Sequence, residues 1–502
     1  MHEADADRDT DGPGRQQAHP PAERADGPAR PARHVVVVGG GIAGLAAAHR
    51  LLGAGARVTL VEATARLGGK LYAGELAGAP VDLGAESVLA RRPEAVELAE
   101  AVGLGADLQP PATATARLWT RGVLRDMPRG HLMGVPGDLA PLAASGILSA
   151  EGLARIAADA ELPPTEVGED AAIGEYVAAR MGREVVDRLV EPLLGGVYAG
   201  DAYRISLRAA VPALYDAVRS HRTLAEAVRA VQAEAAARTT VTGAGATGAF
   251  FAGIAGGIGR LPLAVADACR AAGARILTGT PVREVLRTAD GWRVAAGTQT
   301  LDADAVVLAV PAGPAARLLD ALAPAAATEL RAVEYASMAL VTLAFKRSEL
   351  PAALADGSSS GFLVPPVDGR TVKASTFSSN KWAWSAADPE LFLLRTSVGR
   401  HGDERDLARD DADLVRASLA DLGDAVGLAA RPIASTVTRW DGGLPQYPVG
   451  HPARVARIRA AVAAVPGLAV CGALYDGVGI PACVASARAA ADAVTGTPGA
   501  DH

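Results

Sequence analysis

Three glycines spaced as Gly39-x-Gly41-x-x-Gly44, followed by an acid at Glu62, are the residues of this chain whose types and spacing could do chemistry. That spacing suits the pyrophosphate of a dinucleotide. Gly39 permits a sharp turn, Gly41 lets the backbone approach the phosphates, and Gly44 lets a helix close on a strand, while the helix N-terminus offers free N–H groups and partial positive charge. Gly40, Ile42 and Ala43 supply the rest of that turn. Glu62, with Ala63 beside it, lies eighteen residues beyond Gly44, where an acid at the end of a second strand can take ribose hydroxyls.

A strand, a helix and a second strand must hold these residues. His34–Val38 is a β-branched run, Leu45–Leu52 has apolar positions at helical spacing, and Arg57–Glu62 reads as the second strand. Further strands are expected at Arg275–Thr278, Thr280–Val285, Asp304–Val310 and Leu468–Cys471, with a helix from about Ala482. Alternating stretches at Ala339–Phe345, Gly361–Val364, Thr371–Phe377 and Leu391–Val398 predict an antiparallel sheet. Leu76–Leu83 reads as a short hairpin, residues 91–240 as largely helical, Phe250–Leu263 as a glycine-rich loop, and Arg439–Tyr447 on its own as a Pro-rich turn.

The 502 residues suffice for two to four domains, and a net charge of −7 with no basic stripe argues against a nucleic-acid binder. Three widely spaced cysteines without CxxC argue against a disulfide framework or cysteine metal site and fit a reducing compartment; no HExxH or nucleophile constellation is present. Residues 1–33 lack apolar periodicity and any apolar secretory core, so a disordered leader is expected. The longest uncharged apolar run, Val35–Ala48, is shorter than the roughly 20 residues of a membrane span.

The extension Glu62-x-x-x-Arg66-x-Gly68-Gly69-Lys70 resembles the flavoprotein oxidases of the amine oxidase and protoporphyrinogen oxidase superfamily. Four more segments resemble its porphyrinogen oxidase branch: Asp82-Leu83-Gly84-Ala85-Glu86-Ser87, Phe377–Trp382, Trp440–His451 and Tyr475–Ile480. The resemblance runs from residue 34 to about 490 and implies FAD as cofactor. It also implies an α/β fold: a Rossmann-like FAD-binding domain with an inserted antiparallel-sheet substrate domain and a helical domain. The implied division is 34–90, 250–312 and 455–495 for the FAD domain, 91–210 for the helical domain, 211–249 and 313–454 for the sheet domain, and 496–502 as a tail.

By the same resemblance FAD is expected at Gly39, Gly40, Gly41, Ile42, Ala43, Gly44, Glu62, Ala63, Arg66, Gly69, Lys70, Gly84, Ala85, Glu86, Ser87, Val282, Trp440, Val478, Gly479 and Ile480. No catalytic side chain is required, because the flavin carries the chemistry. The implied reaction is oxidation of coproporphyrinogen III in haem biosynthesis, with molecular oxygen as acceptor and hydrogen peroxide as product. Protoporphyrinogen IX oxidation is the alternative, followed by flavin amine oxidation, against which Tyr475 stands without a second cage aromatic. Propionates need cations, preferably Arg. Eukaryotic relatives place an Arg where this chain has Glu86, so Arg91 and Arg92 are the substitute candidates, a solvated helix start being the other reading. The expected location is cytoplasmic. Leu132–Leu148 is read either as a peripheral membrane contact, as in relatives, or as a core helix with a loop.

Overall fold

The computed structural model describes residues 32–242 and 250–496; the expected leader and tail lie almost wholly outside the described residues. The β-branched runs form a five-stranded parallel sheet in the order Arg275–Leu277, Arg57–Val61, His34–Val38, Ala305–Leu308, Leu468–Val470. Side chains alternate across a strand, so Val35 and Val37 enter one core while Val36 and Val38 enter another. Helices Ile42–Gly53, Arg260–Ala271 and Ile480–Thr495 cover the first face, and Ala312–Leu319, Pro324–Arg331 and His451–Ala463 the second. Both faces are covered, as a parallel sheet of continuous apolar strands requires.

A seven-stranded sheet forms a second layer, in the order Ala434–Pro445, Tyr335–Lys346, Leu391–Val398, Val372–Thr376, Gly361–Leu363, Ala116–Thr120, Val123–Asp126. All its pairings are antiparallel except that of Gly361–Leu363 with Ala116–Thr120. One face packs Phe345, Phe392, Leu394 and Phe362 with Leu414 and Leu422 of helix Asp411–Val426. A third, helical core gathers Ile173, Val177, Leu189 and Leu194.

Several expectations need correction. Residues 116–126, assigned to the helical part, form two strands of the seven-stranded sheet. Residues 211–242, assigned to the sheet part, include helices Pro212–Ala217 and Leu224–Thr242, and Leu214, Leu224 and Val228 of these, with Val211 before the first, join the helical core. The hairpin is Ala73–Leu76 with Ala79–Asp82, starting earlier than expected because Ala77-Gly78 makes the turn at positive φ. Phe251–Ile254 is a strand, held between Val88–Leu89 and Leu108–Gln109. Ala434–Pro445 is a long strand, because Tyr335–Lys346 pairs with it through a bulge that absorbs its glycines. No helix among the described residues is long and apolar enough to cross a membrane.

Candidate cofactor and substrate site

The glycine turn is fixed by backbone bonds from Gly39 N to Val61 O (2.8 Å) and from Gly68 N to Gly40 O (2.8 Å). A Cβ at Gly39, which sits at φ +111°, would overlap the Ala309 carbonyl oxygen, and one at Gly44 would overlap that of Gly39. Gly41 differs: a Cβ there would meet nothing nearer than the Gly69 Cα at 4.0 Å. Its side of the loop is open, and Ile42 and Ala43 begin the helix behind it with no side-chain cap. The sequence-expected residues therefore build a backbone cradle that has room for a ligand and free N–H donors facing it.

Glu62 stands at the rim. Its carboxylate accepts from Gly40 N (2.7 Å) and from Thr64 N (2.8 Å), next to the exposed Ala63. The Glu62 and Thr64 carbonyls in turn accept from Thr280 N and Gly279 N (2.9 and 2.7 Å), which brings the strand beginning at Val282 alongside. Arg66 donates to the carbonyls of Leu67, Leu71 and Gly69 (3.1, 3.3 and 2.6 Å) and lies 4.1 Å over the Tyr72 ring. It thus shapes the turn that carries Gly69. Lys70 is half-buried with no hydrogen-bond or ion-pair partner among the described residues, and burial lowers its ammonium pKa.

The strip Leu83–Ser87 passes over Lys70: Ala85 N donates to Lys70 O at 3.0 Å, and a Cβ at Gly84 would overlap that same oxygen. Trp440 reaches down from the seven-stranded sheet to donate to Leu83 O at 3.1 Å and meets Tyr72 edge-on at 6.5 Å. Asp82 accepts from Ile258 N and Gly259 N, both at 2.9 Å, tying the strip to the turn before helix Arg260–Ala271. Burial pushes its carboxyl up to about 6 despite these bonds.

Glu86 turns its side chain into the protein. It is buried, and its carboxylate is taken by Lys381 Nζ (2.5 Å) and Arg395 Nε (3.0 Å), both from the seven-stranded layer, so only its backbone is left for a cofactor. Burial alone would raise its pKa; Arg395 and then Lys381 outweigh it and hold the group below the usual range. Arg395 also donates to Gly84 O at 2.7 Å. Ser87 follows, half-buried.

At the other end, Gly479 caps helix Ile480–Thr495 without a side-chain bond, and Val478 packs against the helical core. Tyr447 donates to Ala473 O and stacks on His451 at 4.1 Å, while His451 Nε2 bonds Leu474 O at 2.9 Å. The substitute substrate cations are both surface groups: Arg92 is engaged by Glu94 at 2.5 Å, and Arg91 lies 5.1 Å over the exposed Phe250 ring. Sequence reasoning missed Asp82, Lys381, Arg395, Tyr447 and His451 as site builders. Four of them sit in motifs already singled out, whereas Arg395 in Leu391–Val398 carried no signal.

The cradle, the open side of Gly41 and the lone Lys70 ammonium fit a phosphate-bearing flavin, which needs backbone donors at its pyrophosphate and polar groups around its ring. Residues 42–495 match the family model of the flavin containing amine oxidoreductases. The chain is 38% identical to a coproporphyrinogen III oxidase of Mycobacterium tuberculosis, covering 89% of this chain and 94% of that one. It is 32% identical to a coproporphyrinogen III oxidase of Bacillus subtilis, at 89% and 95% coverage. A solved structure from Exiguobacterium sp. 255-15, provisionally assigned as a protoporphyrinogen oxidase, superposes with a TM-score of 0.80 at 32% identity, covering 92% of this chain and 98% of its own.

Proposed function

The chain belongs to the flavin-containing amine oxidoreductases, in the family of the coproporphyrinogen III oxidases, and on that premise we propose that it oxidises coproporphyrinogen III to coproporphyrin III. It is a flavin-dependent oxidoreductase. The flavin we assign is FAD, because the Gly39–Gly44 cradle and the Glu62 carboxylate suit the pyrophosphate and ribose of a dinucleotide. Bound FAD supplies the redox chemistry: three two-electron oxidations of one porphyrinogen, each matched by reduction of one O2 to hydrogen peroxide.

The residues present do the rest. The glycine turn and the N-terminus of Ile42–Gly53 hold the pyrophosphate, and Glu62 takes the ribose, with Val282 beside it. Lys70 and the N-terminus of Ile480–Thr495 place positive potential where electron density accumulates. Leu83–Ser87, pinned from above by Trp440 and Arg395, forms a floor that cannot drift from the sheet covering it. Such fixed orientation is the protein's contribution when a cofactor carries the reaction.

One observation carries the substrate reading: the likeness to coproporphyrinogen III oxidases spans 94–95% of their lengths and so includes the covering sheet as well as the glycine turn. Aerobic turnover of the purified protein on coproporphyrinogen III and protoporphyrinogen IX, followed by porphyrin fluorescence and peroxide together, tests it. Faster turnover of coproporphyrinogen III is expected. Preference for protoporphyrinogen IX moves the chain to the other branch, and no reaction with either refutes the reading. A cytoplasmic location is part of the proposal. Flotation with liposomes decides whether the Leu132–Leu148 region touches a membrane, and no lipid-bound fraction is expected, because Leu142 and Ile147 are buried in the helical core.

A further inference from the structure

Buried charge without a partner is rare, because it pays desolvation with nothing in return. The seven-stranded sheet contains one such group. Lys373 lies in strand Val372–Thr376 and is 5% exposed, yet its ammonium has no hydrogen-bond or ion-pair partner among the described residues. It occupies a bulge: the register against Leu391–Val398 slips between Val372 and Ala374. Bulges re-aim a side chain, and are a recognised device beside binding sites.

The charge acting on Lys373 is another cation, Arg400, at the end of the neighbouring strand. Arg400 is itself buried for the most part; it donates to Val364 O at 2.9 Å and forms no ion pair among the described residues. The acids acting on it are Glu191, on helix Glu191–Tyr198 of the helical body, and then Asp403. Glu191 instead accepts from Ala202 N at 2.7 Å, and burial pushes its carboxyl up to about 7. Two cations therefore converge in the interior; the acids that act there, Glu191 and Asp403, act on Arg400, and none acts on Lys373. Lys373 thus faces positive charge with no carboxylate acting on it.

Its place in the fold connects it to the cofactor floor. Residues opposite each other in an antiparallel pair share a face, so Ala374 with Ser397 and Thr376 with Arg395 lie on the face from which Arg395 grips Gly84. Lys373 is three residues from Thr376, on the order of 10 Å along a strand. From the other side, helix Glu191–Tyr198 ends at Tyr198, whose ring lies 5.5 Å from Tyr447, the residue bonded to Ala473 of the last cofactor-side turn. The cation pair therefore lies between the strand that pins the flavin strip and the helix that reaches the last cofactor-side turn.

We propose that Lys373, with Arg400 behind it, receives a carboxylate of the substrate: a propionate arm of the tetrapyrrole whose reacting carbon lies over the Gly84 strip. The proposal deepens the function above and rests on it for the identity of the substrate. Arg91 and Arg92 then lie outside the pocket that orients the ring, since one is held by its own acid and the other by a surface aromatic ring. Lys373 is a substrate-binding residue in this scheme and exchanges no proton with the macrocycle.

The test uses the flavin-loaded protein and its Lys373→Met and Lys373→Arg variants. Two readouts are made: the KM and kcat for coproporphyrinogen III, and the affinity for the fluorescent product coproporphyrin III beside that for its tetramethyl ester, which lacks the charges. A charge-assisted bond to a carboxylate is worth enough to move affinity about tenfold or more. Lys373→Met is expected to raise KM and weaken binding of the acid about tenfold to a hundredfold, with kcat within about twofold and ester binding unchanged. Lys373→Arg is expected to recover most of the loss. Equal weakening of acid and ester, or an unchanged affinity for the acid in a variant that still holds flavin, overturns the proposal. If the parent protein binds coproporphyrin III in this charge-dependent way but oxidises neither porphyrinogen, the carboxylate site stands and the enzymatic reading falls.

Discussion

Replacing Glu86 by Gln removes one negative charge and little volume, and the geometry sets how much that costs. The carboxylate lies 2.5 Å from Lys381 Nζ and 3.0 Å from Arg395 Nε, with the three side chains 6%, 16% and 14% exposed respectively. In Glu86→Gln both cations stay buried. Arg395 keeps its bond to Gly84 O, but Lys381 is left with only the ring faces of Trp382 and Phe251, 5.1 and 5.8 Å away. Breaking one side of a buried ion pair costs about 3–5 kcal/mol. A chain of 502 residues unfolds with an entropy of about 1 kcal/mol per degree, so the melting temperature should drop by about 3–5 °C. Flavin content should drop with it, because the same cluster positions Gly84. The sign of the pH effect is fixed: the folded pKa of Glu86 lies below its unfolded value, so its contribution is present above the ordinary carboxylate range and is lost as pH falls through the folded value. Melting curves of the two proteins should therefore converge on acidification. A variant that melts within about 1 °C of the parent at pH 7, or a gap that does not narrow in acid, refutes the reasoning.

Gly41→Ala and Gly44→Ala separate cofactor from fold. Gly41 has open space and an ordinary φ of −73°, so Gly41→Ala should fold at a cost of about 1 kcal/mol or less, yet purify colourless; Gly44→Ala should fail to fold, because its methyl enters the Gly39 carbonyl. A yellow Gly41→Ala protein would remove the pyrophosphate from this turn. Arg180 is buried, bonds Asp159 Oδ1 at 2.5 Å and donates to the carbonyls of Pro163, Asp159 and Arg222, so Arg180→Met should cost about 3–5 kcal/mol in a denaturant titration while flavin content is retained. His451 is pushed down to about 4 by burial, so the unfolded chain takes the proton first. Stability should fall by about 3 kcal/mol in total between pH 6.5 and 4, and His451→Gln should flatten that limb.

What could be read in advance follows how far each signal reaches along the chain. The first βαβ unit is self-contained: Val35–Val38, the glycines and Glu62 interact within thirty residues, so pattern and geometry coincide. The strand at Ala434–Pro445 was hidden because Gly442, Gly443 and Pro445 are turn residues locally, and only the twelve-residue partner Tyr335–Lys346 makes them strand. Helices 212–242 and strands 116–126 exchanged places for a similar reason. Nothing in an Ala-rich helix says which layer it packs on, and a strand of five residues is recognised only through the sheet that accepts it. Arg395 was invisible because one cation among Leu391–Val398 has the pattern of a solvent-facing position; here that face meets a second layer instead of water.

Lys373 poses the same ambiguity with a thermodynamic consequence. Burial, aided by Arg400, pushes its ammonium down to about 7, so the unfolded chain binds the proton more tightly than the folded one from pH 10.5 down to 7. The folded protein is thereby destabilised by up to about 4–5 kcal/mol at pH 7, a cost that fades toward pH 10.5. Lys373→Met removes the charge while keeping an unbranched apolar chain of similar length, so it should melt higher than the parent at pH 7 and no higher near pH 10.5. A lysine that served only to hold the sheet together would show the reverse, a loss of stability at neutral pH. A more stable variant with a weakened hold on the carboxylated ring would mean that the sheet keeps an unfavourable cation for the sake of its ligand, the exchange of stability for function expected at a binding site.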